Sequence, residues 1–201
     1  MAINLANNNS LANITALPSS VSGGAMTLLA TQTASGSANL SFTSGIDDTY
    51  DSYVFKYINI HPASIAQLTV NFRDGGTAYD ATKTSTAFNT SHNENGSGDG
   101  LVYRTAWDLA QSTSDQIIAQ ELGNGSDECG SGYLQLFNPS SSVFVKHFIG
   151  VTNYYQNFGA TGSFGIYYAG YCNVTAAIDG VQFKMSSGNI DSGVIKLYGV
   201  S

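Results

Sequence analysis

Val181-Gln-Phe-Lys-Met-Ser-Ser-Gly-Asn-Ile-Asp-Ser-Gly-Val-Ile-Lys-Leu-Tyr-Gly-Val-Ser201 reads as two alternating strands joined by a polar loop that carries Gly188. In the second strand Val194, Lys196, Tyr198 and Val200 lie on one face, and Ile195 and Leu197 on the other. Both faces are largely apolar. That places the strand mid-sheet or against a neighbouring subunit, with its backbone groups paired. The expectation is an all-β fold, with these two segments as a closing hairpin.

The same period of two recurs upstream. Met26–Ala34 and Ala38–Thr43 flank Ser35-Gly36-Ser37, a hairpin signal. Asp51–His61 alternates throughout, with Val54, Ile58 and Ile60 on one face, interrupted by Lys56, and Tyr53, Phe55 and Tyr57 on the other; Pro62 follows as a breaker. Gln67–Arg73 sends Leu68, Val70 and Phe72 inward and turns at Asp74-Gly-Gly76. Asp115–Leu122, Gly132–Phe137, Val143–Val151 and Ser163–Cys172 add further strands, each bounded by Gly, Asn, Ser or Pro. The segment 77–100 is polar and turn-rich, and reads as the longest loop of the β domain, where binding tends to reside. Leu101–Gln111 is the sole helical candidate, and it alternates equally well. About nine or ten strands without βαβ alternation predict an antiparallel β-sandwich, jelly-roll-like.

Length and composition set the frame. A chain of 201 residues fits one such domain, taken as residues 26–201. Residues 1–25 are rich in Asn, Ser and Ala, lack aromatics, and read as an extended N-terminal arm or linker. Ile3, Leu5, Leu11, Ile14 and Leu17 are too scattered for a core and suit anchoring on a partner. Charged residues make up 10 %, against the roughly 25 % of an ordinary domain. The surface is therefore neutral and hydrogen-bonding, as in extracellular and virion β proteins. A net charge of −7 with dispersed Lys and Arg argues against a nucleic-acid partner. No apolar run reaches the roughly 18 residues of a membrane helix, so no membrane insertion is expected. The N-terminus has neither a basic n-region nor a continuous apolar h-region, which predicts assembly in a cytoplasm. Glycosylation at the Asn13, Asn124 and Asn173 sequons is accordingly not expected.

Catalytic signatures are missing: no Gly-x-Ser-x-Gly elbow, no His-Glu-x-x-His and no phosphate-binding glycine loop. His61 and His147 sit in strands and read as structural. His92 precedes Glu94 and Asp99, but a glycine-rich loop positions a base–carboxylate pair poorly. Asp47, Asp48 and Asp51, like Asp127 and Glu128, suit turns in which a carboxylate bonds its own backbone. A calcium ion at the first cluster would need six to eight oxygens. Cys172 reads as a small core residue and Cys129 as a loop residue; a Cys129–Cys172 disulfide stays open as the less favoured alternative. No catalytic residue, metal ligand or cofactor is assigned, and the chain is expected not to be an enzyme.

Aromatic density is the remaining signal. Tyr167, Tyr168 and Tyr171 follow Tyr154, Tyr155 and Phe158, the latter three placed in a preceding loop. Such clusters serve subunit interfaces or stack on sugars, and the interface is favoured. Tyr154, Tyr155, Phe158, His92 and Asn95 are the candidate partner or glycan contacts. Trp107 is expected in the core.

Two segments together carry a family resemblance. Ser41-Phe-Thr-Ser-Gly-Ile-Asp-Asp-Thr-Tyr50 runs into Tyr53-Val-Phe-Lys-Tyr-Ile-Asn-Ile-His-Pro62, and Gly188-Asn-Ile-Asp-Ser-Gly-Val-Ile-Lys-Leu-Tyr-Gly199 closes the chain. The combination resembles virion structural proteins of tailed bacteriophages, particularly marine ones, of the tail-fibre or capsid-associated kind. The resemblance spans most of residues 26–201 and implies no catalytic residue. It implies a homotrimer displayed on the virion surface among other virion proteins. The expected role is a tail-fibre or receptor-binding subunit holding a host-surface glycan. The alternatives are a capsid decoration (cement) protein anchored by residues 1–25, and a carbohydrate-binding lectin.

Overall fold

The computed structural model describes residues 26–201 except Asp99 and Gly159, so the expected arm with Ile3, Leu5, Leu11, Ile14 and Leu17 lies outside the described residues. The strands are β1 (Thr27–Ser37), β2 (Leu40–Phe42), β3 (Ser52–Pro62), β4 (Ala66–Arg73), β5 (Lys83–Asn93), β6 (Gly100–Tyr103), β7 (Gln116–Leu122), β8 (Gly130–Phe137), β9 (Lys146–Phe158), β10 (Ala160–Cys172), β11 (Gly180–Met185) and β12 (Ile190–Val200). Every pairing between these strands is antiparallel. One path runs β1-β12-β3-β8-β9-β7-β4-β11-β2 and is nearly closed into a barrel, with β1 returning beside β2. β9 is the junction. On one edge it pairs with β8 as far as Tyr154 and then, at Gln156, with Leu122 of β7; its other edge pairs with β10, which leads on to β5 and β6. Among the described residues there is no α-helix, and none is long and apolar enough to cross a membrane.

The all-β expectation holds, and the interior follows from alternation. Tyr53, Phe55 and Tyr57 of β3, Leu68, Val70 and Phe72 of β4, Leu134 and Leu136 of β8, and Ile195 and Leu197 of β12 are buried together. Phe72 meets Phe148 with ring centroids 5.0 Å apart, and Phe55 meets Phe183 at 5.7 Å. β12 lies mid-sheet, between β1 and β3.

Both expected hairpins are corrected. β11 pairs with β4 and β2, whereas β12 pairs with β1 and β3, so Ser186–Asn189 carries the chain across the fold instead of folding it back. β1 runs through Gly36 (φ +60°) and does not pair with β2. A turn signal permits a hairpin but does not select the partner; here each strand finds a longer complementary edge elsewhere. Asn189 helps hold the crossing by donating from Nδ2 to the Gly36 carbonyl at 2.8 Å.

The expected long loop is corrected as well. Lys83–Asn93 is a strand paired with β10 along its whole length. Its inward positions Lys83, Ser85, Ala87 and Asn89 are buried, but three of the four are polar, so an apolar alternation is absent. Chain 104–115 covers this face and bonds to it: Lys83 Nζ donates to the Ser114 carbonyl at 2.8 Å, Leu109 N to Ser85 Oγ at 3.1 Å, and Arg104 Nε to Asn89 Oδ1. Leu101–Gln111 is thus the short strand β6 and a single 3-10 turn, Thr105–Trp107.

One parity change breaks the simple face reading of β3. Asn59 has φ +52° and the β3–β8 register shifts between Tyr57 and Ile60. Ile60 therefore turns inward and is fully buried, while Ile58 stays exposed. Gly193, at φ +125°, faces this bulge; a Cβ there would lie 2.7 Å from the Asn59 carbonyl oxygen.

Candidate functional site

Register between β5, β10 and β9 builds an outward row from distant residues. His92 stands opposite Ser163, and Ser163 opposite Tyr155. The next outward row is Thr90, Gly165, Asn153 and Ser131. Beside the first row lies a cleft of about 390 Å³ lined by His92, Glu94, Asp127, Cys129, Asn153 and Tyr155, among others. Tyr155 donates its hydroxyl to Glu94 Oε2 at 3.4 Å; Asn153 Nδ2 donates to Ser163 Oγ at 2.9 Å and to the Phe164 carbonyl at 3.1 Å. The Glu94 N–H donates to the Thr161 carbonyl at 3.0 Å, tying the β5–β6 turn to β10. Desolvation, with the Glu94 and Glu128 charges adding to it, pushes the Tyr155 hydroxyl above its ordinary pKa.

The far wall of the cleft is the β7–β8 loop, held by Glu128. This nearly buried carboxylate accepts from Gly125 N at 2.6 Å and from Asn157 Nδ2 at 2.7 Å. A Cβ at Gly123 or Gly125 would come within 2.2 or 2.7 Å of that carboxylate. His61 Nδ1 reaches the Glu128 carbonyl at 2.7 Å, a structural contact. On the loop's other flank a cleft of about 420 Å³ is lined by Asn59, His61, Asp127, Glu128 and Asp191, among others. Glu94, Asp127, Glu128 and Asp191 give this end of the molecule an acidic character.

The expected contacts separate. His92 and Tyr155 share the cleft, but both are strand residues and not loop residues. Asn95 lies in the adjoining turn, where its Oδ1 accepts from Ser97 N at 3.0 Å and Ser97 Oγ at 2.6 Å. Tyr154 is corrected as a contact: neighbouring strand residues face opposite sides, and its side chain is in the core at 2 % exposure. Burial pushes its hydroxyl well up, and among the described residues the oxygen has no hydrogen-bond partner. Phe158 ends β9, and its side chain lies outside what is described.

Sequence reasoning missed a third outward row. In register from strand to strand it runs Tyr103, Phe88, Tyr167, Val151, Tyr133, Lys56 and Lys196. The Phe88 and Tyr167 rings are stacked at 5.0 Å and 8°. Phe88 stood in a segment read as loop, so its alignment with Tyr167 was invisible.

The remaining candidates resolve as structural. Asp47 Oδ1 accepts from Thr49 N at 2.9 Å and from Tyr53 OH at 2.9 Å, which holds its carboxyl below the usual range. Among the described residues no three His, Cys, Asp or Glu side chains are grouped to hold a metal ion. Both cysteines are free, so the disulfide alternative falls. Cys172 is buried as expected, opposite Lys83 and Lys146 on its two neighbouring strands. Burial drives Lys83 down to about 8 and the Cys172 thiol up to about 12. Trp107 is half-buried against the core, with the Arg104 guanidinium 4.9 Å from its ring centroid. Comparison with protein-family models, with curated proteins and with solved structures gives no match.

Proposed function

We propose that this chain is a non-enzymatic structural subunit of a phage virion, displayed on the particle surface as a homotrimer of jelly-roll-like β-sandwiches. Its role is tail-fibre or receptor-binding, and the His92–Ser163–Tyr155 cleft holds a host-surface glycan. The observation that carries this reading is the register itself: three strands bring an imidazole, a hydroxyl and a phenol into one row beside a cleft of about 390 Å³. That volume lies in the range of small-ligand sites. The phenol ring offers an apolar face, and Asn153 and Ser163 offer hydrogen bonds suited to sugar hydroxyls. Glu94 and Asp127 make the cleft acidic, which selects neutral or amine-bearing sugars over anionic ones. The resemblance of residues 41–62 and 188–199 supplies the virion setting.

A panel of immobilised oligosaccharides tests the site. Neutral glycans are expected to bind without being hydrolysed, and Tyr155→Ser is expected to weaken binding about tenfold, the loss of about 1.4 kcal/mol. Hydrolysis of a bound glycan overturns the non-enzymatic reading. Binding of anionic glycans alone overturns the charge argument. Particles that lack the protein and adsorb normally but lose capsid robustness overturn the receptor role in favour of decoration by residues 1–25.

A further inference from the structure

The row Tyr103–Phe88–Tyr167–Val151–Tyr133–Lys56–Lys196 combines an apolar middle with ends of opposite charge. Tyr103 is 59 % exposed, and Phe88, Tyr133 and Tyr167 are each 41 % exposed; Ile149, one row over on β9, is 48 % exposed. Large apolar side chains gathered on one sheet face mark an interaction surface, and aromatic residues lead the composition of such contacts. At the β6 end Asp108 accepts the Tyr103 hydroxyl on Oδ2 and the Ala87 N–H on Oδ1 at 2.8 Å, which fixes a negative charge beside the row. At the other end Lys56 and Lys196 stand directly opposite each other on β3 and β12. Like charges directly opposed across a strand pair destabilise a sheet. Among the described residues neither lysine forms an ion pair; Lys56 only covers the Tyr198 ring at 5.5 Å.

The two ends cannot neutralise each other within one chain. Five strand steps separate β6 from β3, roughly 24 Å at the usual spacing. Sheet twist of about 20–25° per step turns them through more than about 100°. They can meet only between copies, and such a contact joins unlike patches. Repeated, a contact of that kind closes into a ring where its rotation divides a full turn, about 120° per step for a trimer, and otherwise runs on as a filament.

We propose that this row is the head-to-tail contact between copies of the chain, with the Lys56–Lys196 end of one copy set against the Tyr103–Asp108 end of the next. The proposal rests on the trimeric reading above and assigns that trimer its surface. The glycan cleft lies two rows away along the same strands, at the margin of the contact.

Sedimentation velocity on the full chain tests it. The wild type is expected as a trimer at micromolar concentration. The double variant Lys56→Glu/Lys196→Glu and, separately, Tyr133→Ser/Tyr167→Ser are each expected to raise the dissociation midpoint at least tenfold, with circular dichroism unchanged. Raising salt from about 0.01 to about 1 M shortens the screening length from about 30 to about 3 Å and is expected to favour the wild-type monomer. A trimer indifferent to both double variants overturns this surface and leaves the trimeric reading standing. A monomeric or dimeric wild type overturns the trimeric reading itself.

Discussion

β4 and β5 are consecutive strands that bury their inner faces by opposite means. β4 sends Leu68, Val70 and Phe72 inward, all fully buried against other apolar side chains. β5 sends Lys83, Ser85, Ala87 and Asn89 inward, equally hidden, with Lys83 Nζ, Ser85 Oγ and Asn89 Oδ1 bonded to chain 104–115 and Asn89 Nδ2 left without a partner among the described residues. The first is stabilised by removing apolar surface from water. The second gains little from each bond, because water competes for the same groups, yet loses much if a partner is removed. A strand is thus defined by its backbone pairing, and apolar alternation is only a usual correlate.

The contrast predicts effects of different size and sign. Phe72→Ala in β4 is expected to cost about 3–5 kcal/mol in denaturant unfolding, since it opens a cavity against Phe148. A loss below about 1 kcal/mol would remove the distinction between the two strands. Lys83→Met in β5 is expected to act in the opposite direction, stabilising the fold at pH 7 by up to about 3 kcal/mol, the equivalent of its depressed ionisation, because the carbonyl that loses its donor belongs to the exposed Ser114 and can bond water instead. The folded lysine loses its proton near pH 8, whereas the unfolded one keeps it to about 10.4. Between these values the unfolded chain binds more protons, so wild-type stability rises with pH. Cys172 opposes this above about pH 9, because its folded thiol holds its proton up to about 12. The clear window is therefore pH 8 to 9, and unfolding there is expected to show a steeper rise in the wild type than in Lys83→Met, where only Lys146, also lowered by burial, still contributes. Asn89→Ala is expected to cost about 1–3 kcal/mol by leaving the Arg104 guanidinium short of an acceptor. An unchanged melting midpoint for that variant would mean that the polar face of β5 does not support the fold.

The same contrast explains what could be read from the chain beforehand. β3, β4, β7, β8, β10 and the two closing strands announce themselves through apolar alternation. β5 does not, because Lys83, Ser85 and Asn89 occupy the positions where Val or Leu would have signalled a strand. The inward turn of Ile60 depended on a single left-handed residue, Asn59, and on room at Gly193. At the site, His92 and Tyr155 were recognisable by type, but Tyr154 beside Tyr155 was not separable until the loop became a strand. The alignment of His92 with Ser163, and of Phe88 with Tyr167, is set by the direct pairing of β5 with β10, two strands far apart in the chain. No local pattern encodes such a register.

The position of β12 has a kinetic side. Thr27 pairs with Gly199 and Ser52 with Val200, so two strands near the start of the β domain are joined only through its last segment. Loop-closure entropy must be overcome before those contacts stabilise anything, which places folding among the slow, non-local topologies. Until residues 190–200 insert, β1 and β3 present unpaired edges to any neighbouring chain. The strand that completes the sheet thereby also ends the interval in which the chain is most exposed to misassembly.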